Sequence, residues 1–317
     1  MRHHPGTSFI VAAFALVATL AACTESADEP LRIYTTVTQE TVDTVVAGFN
    51  EATGHPVEVL RLPTGELNAR IASEIRTDGI TADILWLTDP LSMHQYEADA
   101  LLAEWEPAGA DRIAADFRTA STWGTRILNL VIVAGTEVDP VPASWNDLSE
   151  ISGPVALPDP GFAGSAFAAL AYFSQTEGFG YFEALHDAGA VQVQSPGEVV
   201  TGVAEGRFTA GITLDFAARA AVSNGSPIQL IWPEPGAIAF HSPIGVVGAS
   251  DSDTARAFIE YVISDDGQRR IGESGWQPVI PGLGGPEPGG SQVTIAWTEA
   301  ASQQSSLLAS YRDLFGG

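Results

Sequence analysis

The chain has 317 residues, with 39 Asp and Glu against 14 basic residues and a formal net charge of −25. Such acidity makes nucleic acid and anionic membrane surfaces poor partners and reads as a solvated, salt-tolerant surface. Every basic residue is arginine, which excludes a P-loop lysine, a Schiff-base lysine and a Ser-Lys dyad.

Arg2 precedes an apolar run from Phe9 to Ala22 that ends in small residues. The run is too short to span a bilayer core of ~30 Å and has the length of a signal-peptide core. Residues 1–22 are therefore expected to be a leader. Leu20-Ala21-Ala22-Cys23 matches the bacterial lipobox, and the match implies diacylglycerol on Cys23 as the first mature residue. The alternative is a free cysteine behind an ordinary secretory signal. Cys23 is the only cysteine, so there is no intramolecular disulfide, no Cys-based zinc site and, once lipidated, no thiol catalysis. Residues 23–30 read as a polar tether. The remainder can form one large or two ordinary domains. His3, His4, His55, His94, His186 and His241 show no HExxH or close ligand spacing and are read as surface or loop residues, so no metal and no cofactor is expected.

Leu31–Tyr34 begins a strand, and Thr36-Val37-Thr38-Gln39 has the form of a capping box. Val42, Val45, Val46 and Phe49 then mark a helix face that ends near Gly54. Val57–Leu62 is a second strand. Pro63-Thr64-Gly65 turns into a helix with Leu67, Ile71 and Ile75 on one side. Ala82–Leu87 is a third strand, followed by Thr88-Asp89-Pro90 and a helical segment to Leu102. Strand, helix, strand, helix, strand predicts a parallel sheet whose ligands gather at the carboxyl ends of the strands. Those ends carry Thr35, Thr36 and Thr38, then Thr64, then Thr88 and Asp89. Each also suits a helix cap, but three in a row at one edge point to a pocket wall.

Trp123–Arg126 followed by the apolar Ile127–Ala134 reads as the chain leaving one sheet and entering another. Ser144–Glu150 reads as a short surface helix. Val155–Leu170, VALPDPGFAGSAFAAL, reads as a buried strand, a Pro/Gly loop and a helix start whose free N–H groups, with Ser165 beside them, form an anion site. Helical segments at Phe167–Thr176 and Tyr181–Ala188 lead to a strand at Val191–Val193, and Ser195-Pro196-Gly197-Glu198 is a complete helix start. A strand over Phe208–Thr213 delivers Leu214-Asp215-Phe216 to an edge, before a helix that stops at Asn224-Gly225. Arg126 is the nearest counter-charge for an anion, with Trp232 and Glu234 as further candidates to face the cleft. Ile244–Val247 is a returning strand, Asp253–Ser264 a helix, Gly282–Gly290 a loop, and Val293–Leu314 a last helix without readable chemistry.

FNEATGHPVEVLRLPTGELNARIASE, ADILWLTDP, the SW-DL of Ser144–Leu148, LPDPGFAGSA and AFIEYVISDDGQ, in this order and spacing, resemble the extracellular solute-binding proteins of bacterial ABC importers. The similar branch includes ferric-ion-binding and phosphonate- or phosphosugar-binding members. The resemblance implies an α/β, two-lobed type II periplasmic-binding-protein fold, each lobe a mainly parallel sheet flanked by helices, with crossing hinge strands that close the lobes on one ligand. It places lobe 1 at 31–124 plus about 246–282, lobe 2 at 125–245, and a C-terminal loop and helix at 283–317. It implies that Gly164, Ser165 and Ala166 present N–H groups to an oxyanion. Ferric members carry two tyrosines where this chain has Asp215-Phe216, which argues against iron and for a small phosphonate or phosphate ester. The expected protein is a monomeric, lipid-anchored, extracytoplasmic binding protein serving a permease and ATPase on separate chains. A secreted phosphatase or esterase using Asp89 or Asp215 is the enzymatic alternative; no Ser-His-Asp motif or GxSxG elbow supports it.

Overall fold

A computed structural model describes Met1 and residues 29–316. The expected leader, Cys23 and the tether as far as residue 28 lie outside the described residues. Among those described, no helix is long and apolar enough to cross a membrane.

The elements run β1 Leu31–Thr35, α1 Gln39–Thr53, β2 Val57–Arg61, α2 Thr64–Ile75, β3 Ile84–Trp86, α3 Pro90–Ala98 and β4 Trp123–Gly135. They continue with β5 Val155–Pro158, α4 Gly164–Thr176, α5 Gly180–Asp187, β6 Val191–Val193, α6 Pro196–Ala204, β7 Ala210–Leu214, α7 Asp215–Ser223, β8 Ile228–Ile231 and β9 Ala237–Val246. Last come α8 Asp253–Val262, α9 Asp265–Glu273, β10 Gln277–Pro278, β11 Gln292–Val293 and α10 Trp297–Phe315.

Helix α1 forms as its periodicity dictates. Val42, Val45 and Phe49 are fully buried, and each such side chain contributes about 1.5–3 kcal/mol. Gly54 closes the helix in the left-handed conformation, at φ 76°, with its N–H on the Asn50 carbonyl. The expected capping box does not form. Thr38 is the N-cap, and Thr36 is bonded instead to Thr88 across the sheet. On α2, Leu67 and Ile71 are buried but Ile75, in the last turn, is 41% exposed.

The sheet corrects a second expectation. The strands form one hydrogen-bonded path, β2-β1-β3-β9-β4-β7-β5-β6, rather than two separate sheets. The flanking groups β2-β1-β3 and β7-β5-β6 are parallel within themselves, whereas β4 and β9 run antiparallel to each other from Trp123↔Ile244 to Leu130↔Ile238. Farther along, β4 pairs with β7 from Leu130 to Ala134. These two long, wholly buried strands are the crossing strands between the lobes. The sequence reveals only the end of β9, because Pro235, His241, Ser242 and Pro243 break its apolar run. In the sheet, Pro243 still offers its carbonyl to the Leu87 N–H at 2.9 Å, so the proline costs the ladder a donor and keeps an acceptor.

Three smaller expectations also change. Trp145 and Leu148, in the supposed surface helix, are buried, with the Trp145 indole donating to the Gly236 carbonyl at 3.0 Å. Val293 belongs to β11, so the last helix starts at Trp297. His241 is buried in β9, and its pKa is pushed down to about 3 by loss of solvent. The serine start signal holds: the Ser195 hydroxyl accepts from Glu198 N and the Glu198 carboxylate accepts from Gln194 N.

Candidate functional site

The carboxyl ends of β1 and β3 are tied together by side chains. Thr35 donates to the Trp86 carbonyl and accepts from Val37 N. Thr36 accepts from Thr88 N at 2.7 Å and donates to the Thr88 hydroxyl, which in turn donates to the Thr36 carbonyl. Both hydroxyl protons are thereby used within the pair, so these threonines set the shape of the edge and offer a ligand only lone pairs. Thr38 is linked through Thr41 to Ser274 of the segment after α9. Thr64 opens α2, and its hydroxyl takes no partner among the described residues.

Asp89 is the N-cap of α3 and is 2% exposed. Its Oδ1 accepts from Ser92 N at 3.0 Å, while the buried Oδ2 has no hydrogen-bond partner. Burial pushes its pKa up against the pull of the Ser92 N–H. Oδ2 lies against Gly164, the first residue of α4 in the other lobe, where a Cβ would collide with the carboxylate. A Cβ on Gly65 would sit 3.9 Å from the Gly161 carbonyl. The starts of α2 and α3 thus lie against the loop and helix start at 161–164.

On the lobe 2 side, α4 starts without a side-chain cap. Ala166 N donates to the Ala163 carbonyl at 2.9 Å, which leaves the N–H groups of Gly164 and Ser165 as the open pair; Ser165 is buried. Asp215 starts α7, is buried, and pairs with Arg219 at 3.1 Å. Burial raises its pKa and Arg219 opposes the rise. The same arginine donates to the Gly275 carbonyl at 2.8 Å, so Asp215 and Arg219 together hold the turn before Trp276.

Arg126 lies on β4, paired in register with Ser242 of β9 and Pro278 of β10. It is 1% exposed, and its Nε and Nη1 have no hydrogen-bond partner. The guanidinium stands 4.0 Å from the Trp276 ring centroid, and Trp276 stacks on Phe216 at 4.1 Å and 7°. Burial first, and the Arg61 charge second, bring its pKa down to about 9. Arg61, at the end of β2, is held by a bond from its Nε to the Val37 carbonyl and has no acidic partner. The Trp276 indole N–H is also buried and unpartnered. Three donors on Arg126 and Trp276 are thus withdrawn from water with nothing to accept from them, a costly state that an oxyanion relieves.

Comparison with known proteins matches residues 31–277 to the family described as bacterial extracellular solute-binding protein. The chain belongs to that family. A putative 2-aminoethylphosphonate-binding periplasmic protein of Salmonella paratyphi A is 26% identical over 242 residues, covering 72% of this chain and 70% of that protein. The periplasmic binding protein AfuA of Actinobacillus pleuropneumoniae, solved with exogenous fructose-6-phosphate bound, superposes with a TM-score of 0.79 at 19% identity over 90% of this chain and 98% of that one. An apo ferric ion-binding protein A of Pasteurella haemolytica gives 0.78 at 18% identity over 90% and 97%. At those identities the two structures establish the fold, the two-lobed type II periplasmic-binding-protein architecture. The family is one of substrate-binding components of ABC importers, not of enzymes.

In this solute-binding protein Thr36 bonds to Thr88 within one edge and Asp89 packs against Gly164, while Thr38 turns to Thr41 and Asp215 to Arg219. Trp232 and Glu234 do not join them. Trp232 packs on Gly289 and Gly290, and the Glu234 main chain bonds to Ala143 and Trp145 at the far side of β8. Arg61, Phe216, Arg219 and Trp276 were missed. Phe216 stood in the sequence beside Asp215, and Trp276 follows a glycine with φ 87°; a ring at the edge of a cleft is the signal each carried.

Proposed function

We propose that this protein captures a small organophosphorus anion, a phosphonate or phosphate ester, between lobes formed by residues 31–124 with about 246–282 and by residues 125–245, and delivers it to a membrane permease with its ATPase. The observation that carries the ligand class is Arg126: a buried guanidinium with two nitrogens unpartnered among the described residues, stacked on Trp276 and close enough to Arg61 for their charges to interact, in a chain of net charge −25. Acids far outnumber arginines here, so an arginine left without one marks a place for an anion from outside. The protein is read as a monomer held at the cell envelope by lipid on Cys23.

The iron reading finds no phenolates at the seam. Tyr181 donates to the Trp145 carbonyl, Tyr261 to Asp266, Tyr34 to Glu74 and Tyr96 to Asn68, while Tyr172 and Tyr311 lie in the core. Binding raises melting temperature in proportion to the logarithm of ligand concentration above Kd. The test is a melting panel of alkylphosphonates, aminoalkylphosphonates, sugar phosphates, inorganic phosphate and ferric citrate. A concentration-dependent rise with an organophosphorus member supports the reading; a rise with ferric citrate alone overturns it.

A further inference from the structure

Two ionisable side chains in the seam are buried, incompletely paired and opposite in charge. Arg126 is the cation. Asp89 is the anion, with Oδ1 on Ser92 N and Oδ2 left without a donor. The other cleft carboxylate, Asp215, is already paired with Arg219, so Asp89 alone holds an unfilled acceptor between the lobes.

The place of Asp89 is built. Pro90 starts α3 directly behind it, and the Cα of Gly164 covers it from the opposite lobe. The main chains that carry the two residues flank β9 on opposite sides. Ser242 pairs in register with Arg126 and donates its hydroxyl proton to the Leu87 carbonyl. Arg126 and Leu87 are therefore separated by one intervening strand, roughly 10 Å between main chains at two strand spacings, and Asp89 follows Leu87 by two residues.

Resting on the organophosphorus reading above, we propose that Asp89 is the specificity-determining residue of this cleft: its Oδ2 accepts a hydrogen bond from a donor on the ligand, an ammonium or a hydroxyl, while the ligand's acid group lies on Arg126. The polarity follows from what each end lacks. Arg126 and Trp276 have only donors to offer, and Asp89 has only a lone pair. A ligand that brings a second acceptor to Asp89 leaves a buried carboxylate oxygen unpaired and faces a like charge, which a site built for a donor rejects strongly. The Gly164–Ser165 helix start, the expected seat for the oxyanion, then serves the Asp89 carboxylate itself, which favours a helix N-terminus as any anion does.

The test is calorimetric titration of the full mature protein and of Asp89→Asn with three isosteres: 2-aminoethylphosphonate, 2-hydroxyethylphosphonate and ethylphosphonate. Asparagine keeps an oxygen for the Ser92 cap, so the helix start survives; Asp89→Ser, a second capping residue too short to reach the ligand, is the parallel control, and thermal melts of both verify folding. The wild type should prefer at least one donor-bearing ligand to ethylphosphonate by tenfold or more. The amino and hydroxy arms separate ammonium from hydroxyl recognition. Both variants should lose the preference, while ethylphosphonate binds them no worse than it binds wild type. If ethylphosphonate binds the wild type as tightly as the other two, or if either folded variant keeps the preference, the role of Asp89 is wrong and the anion reading stands. If none of the three binds, the role of Asp89 is wrong, and the anion reading falls with it only where the melting panel shows no rise with any sugar phosphate either.

Discussion

Replacing Gly164 by alanine is the sharpest perturbation of the seam. A methyl group there would lie 2.7 Å from Asp89 Cγ and 3.0 Å from its Cβ, with Oδ2 nearer still. Asp89 has little room to retreat, because it is 2% exposed and fixed through Ser92 N. Overpacking of this kind costs about 1–3 kcal/mol. On the proposed lobe bounds the clash involves one residue from each lobe, and parting the lobes would relieve it. In the open form alanine is, if anything, a better helix residue than glycine. The penalty should therefore be charged to ligand binding and not to folding: Kd should rise roughly 5- to 150-fold, since ~1.4 kcal/mol is tenfold, while the unliganded melting temperature stays level or climbs. Calorimetric titration with the strongest ligand of the panel gives the affinity, and small-angle scattering with and without ligand reports closure. Gly65→Ala, whose new methyl meets the Gly161 carbonyl at an ordinary 3.9 Å, should leave both unchanged. An unaltered Kd in Gly164→Ala would show that Asp89 and Gly164 do not meet in the bound state.

Arg126→Met should abolish the ligand-induced rise in melting temperature and leave the empty protein at least as stable, by about 0–2 kcal/mol, because an uncompensated buried charge is exchanged for an apolar chain of similar length; thermal melts measure both, and a persisting ligand shift contradicts it. The buried carboxyl of Asp215 also has a pH signature. Its pKa is raised by burial, so the folded protein holds a proton where the unfolded chain has released it. Stability from this group falls as pH rises from the ordinary aspartate value, ~3.9, through the raised one, and is level above. Asp215→Asn should flatten that segment of a denaturation-versus-pH curve; an unchanged slope sinks the assignment. Cys23→Ser should release the protein from the membrane fraction of the producing cell and abolish radiolabelling by fatty acid, and retained label would place the lipid elsewhere.

The parts of the site that were legible in the sequence are those that depend on near neighbours. The strand, Pro/Gly loop and helix start from Val155 to Leu170 could be read because turn and capping chemistry is local. The threonines at the first lobe's strand ends could be placed at one edge because alternating strands and helices imply it. What stayed hidden was partnership across the sheet. Thr36 looks like a helix cap until Thr88 is seen to claim its hydroxyl. Asp215 looks like a free carboxylate until Arg219, one helical turn on, is seen to turn inward to it. Ile75 fits its helical stripe and yet lies beyond the edge of the core. Arg126 is the extreme case, since its significance is that no acid approaches it, and that depends on every neighbouring element at once.

A crystal structure of the protein with its tightest-binding phosphonate tests the central claim most directly. The account predicts closed lobes with the phosphonate oxygens on Nε and Nη1 of Arg126 above the Trp276 ring. A phosphonate group seated on the Gly164 and Ser165 N–H groups, with Asp89 displaced and Arg126 unengaged, would contradict it.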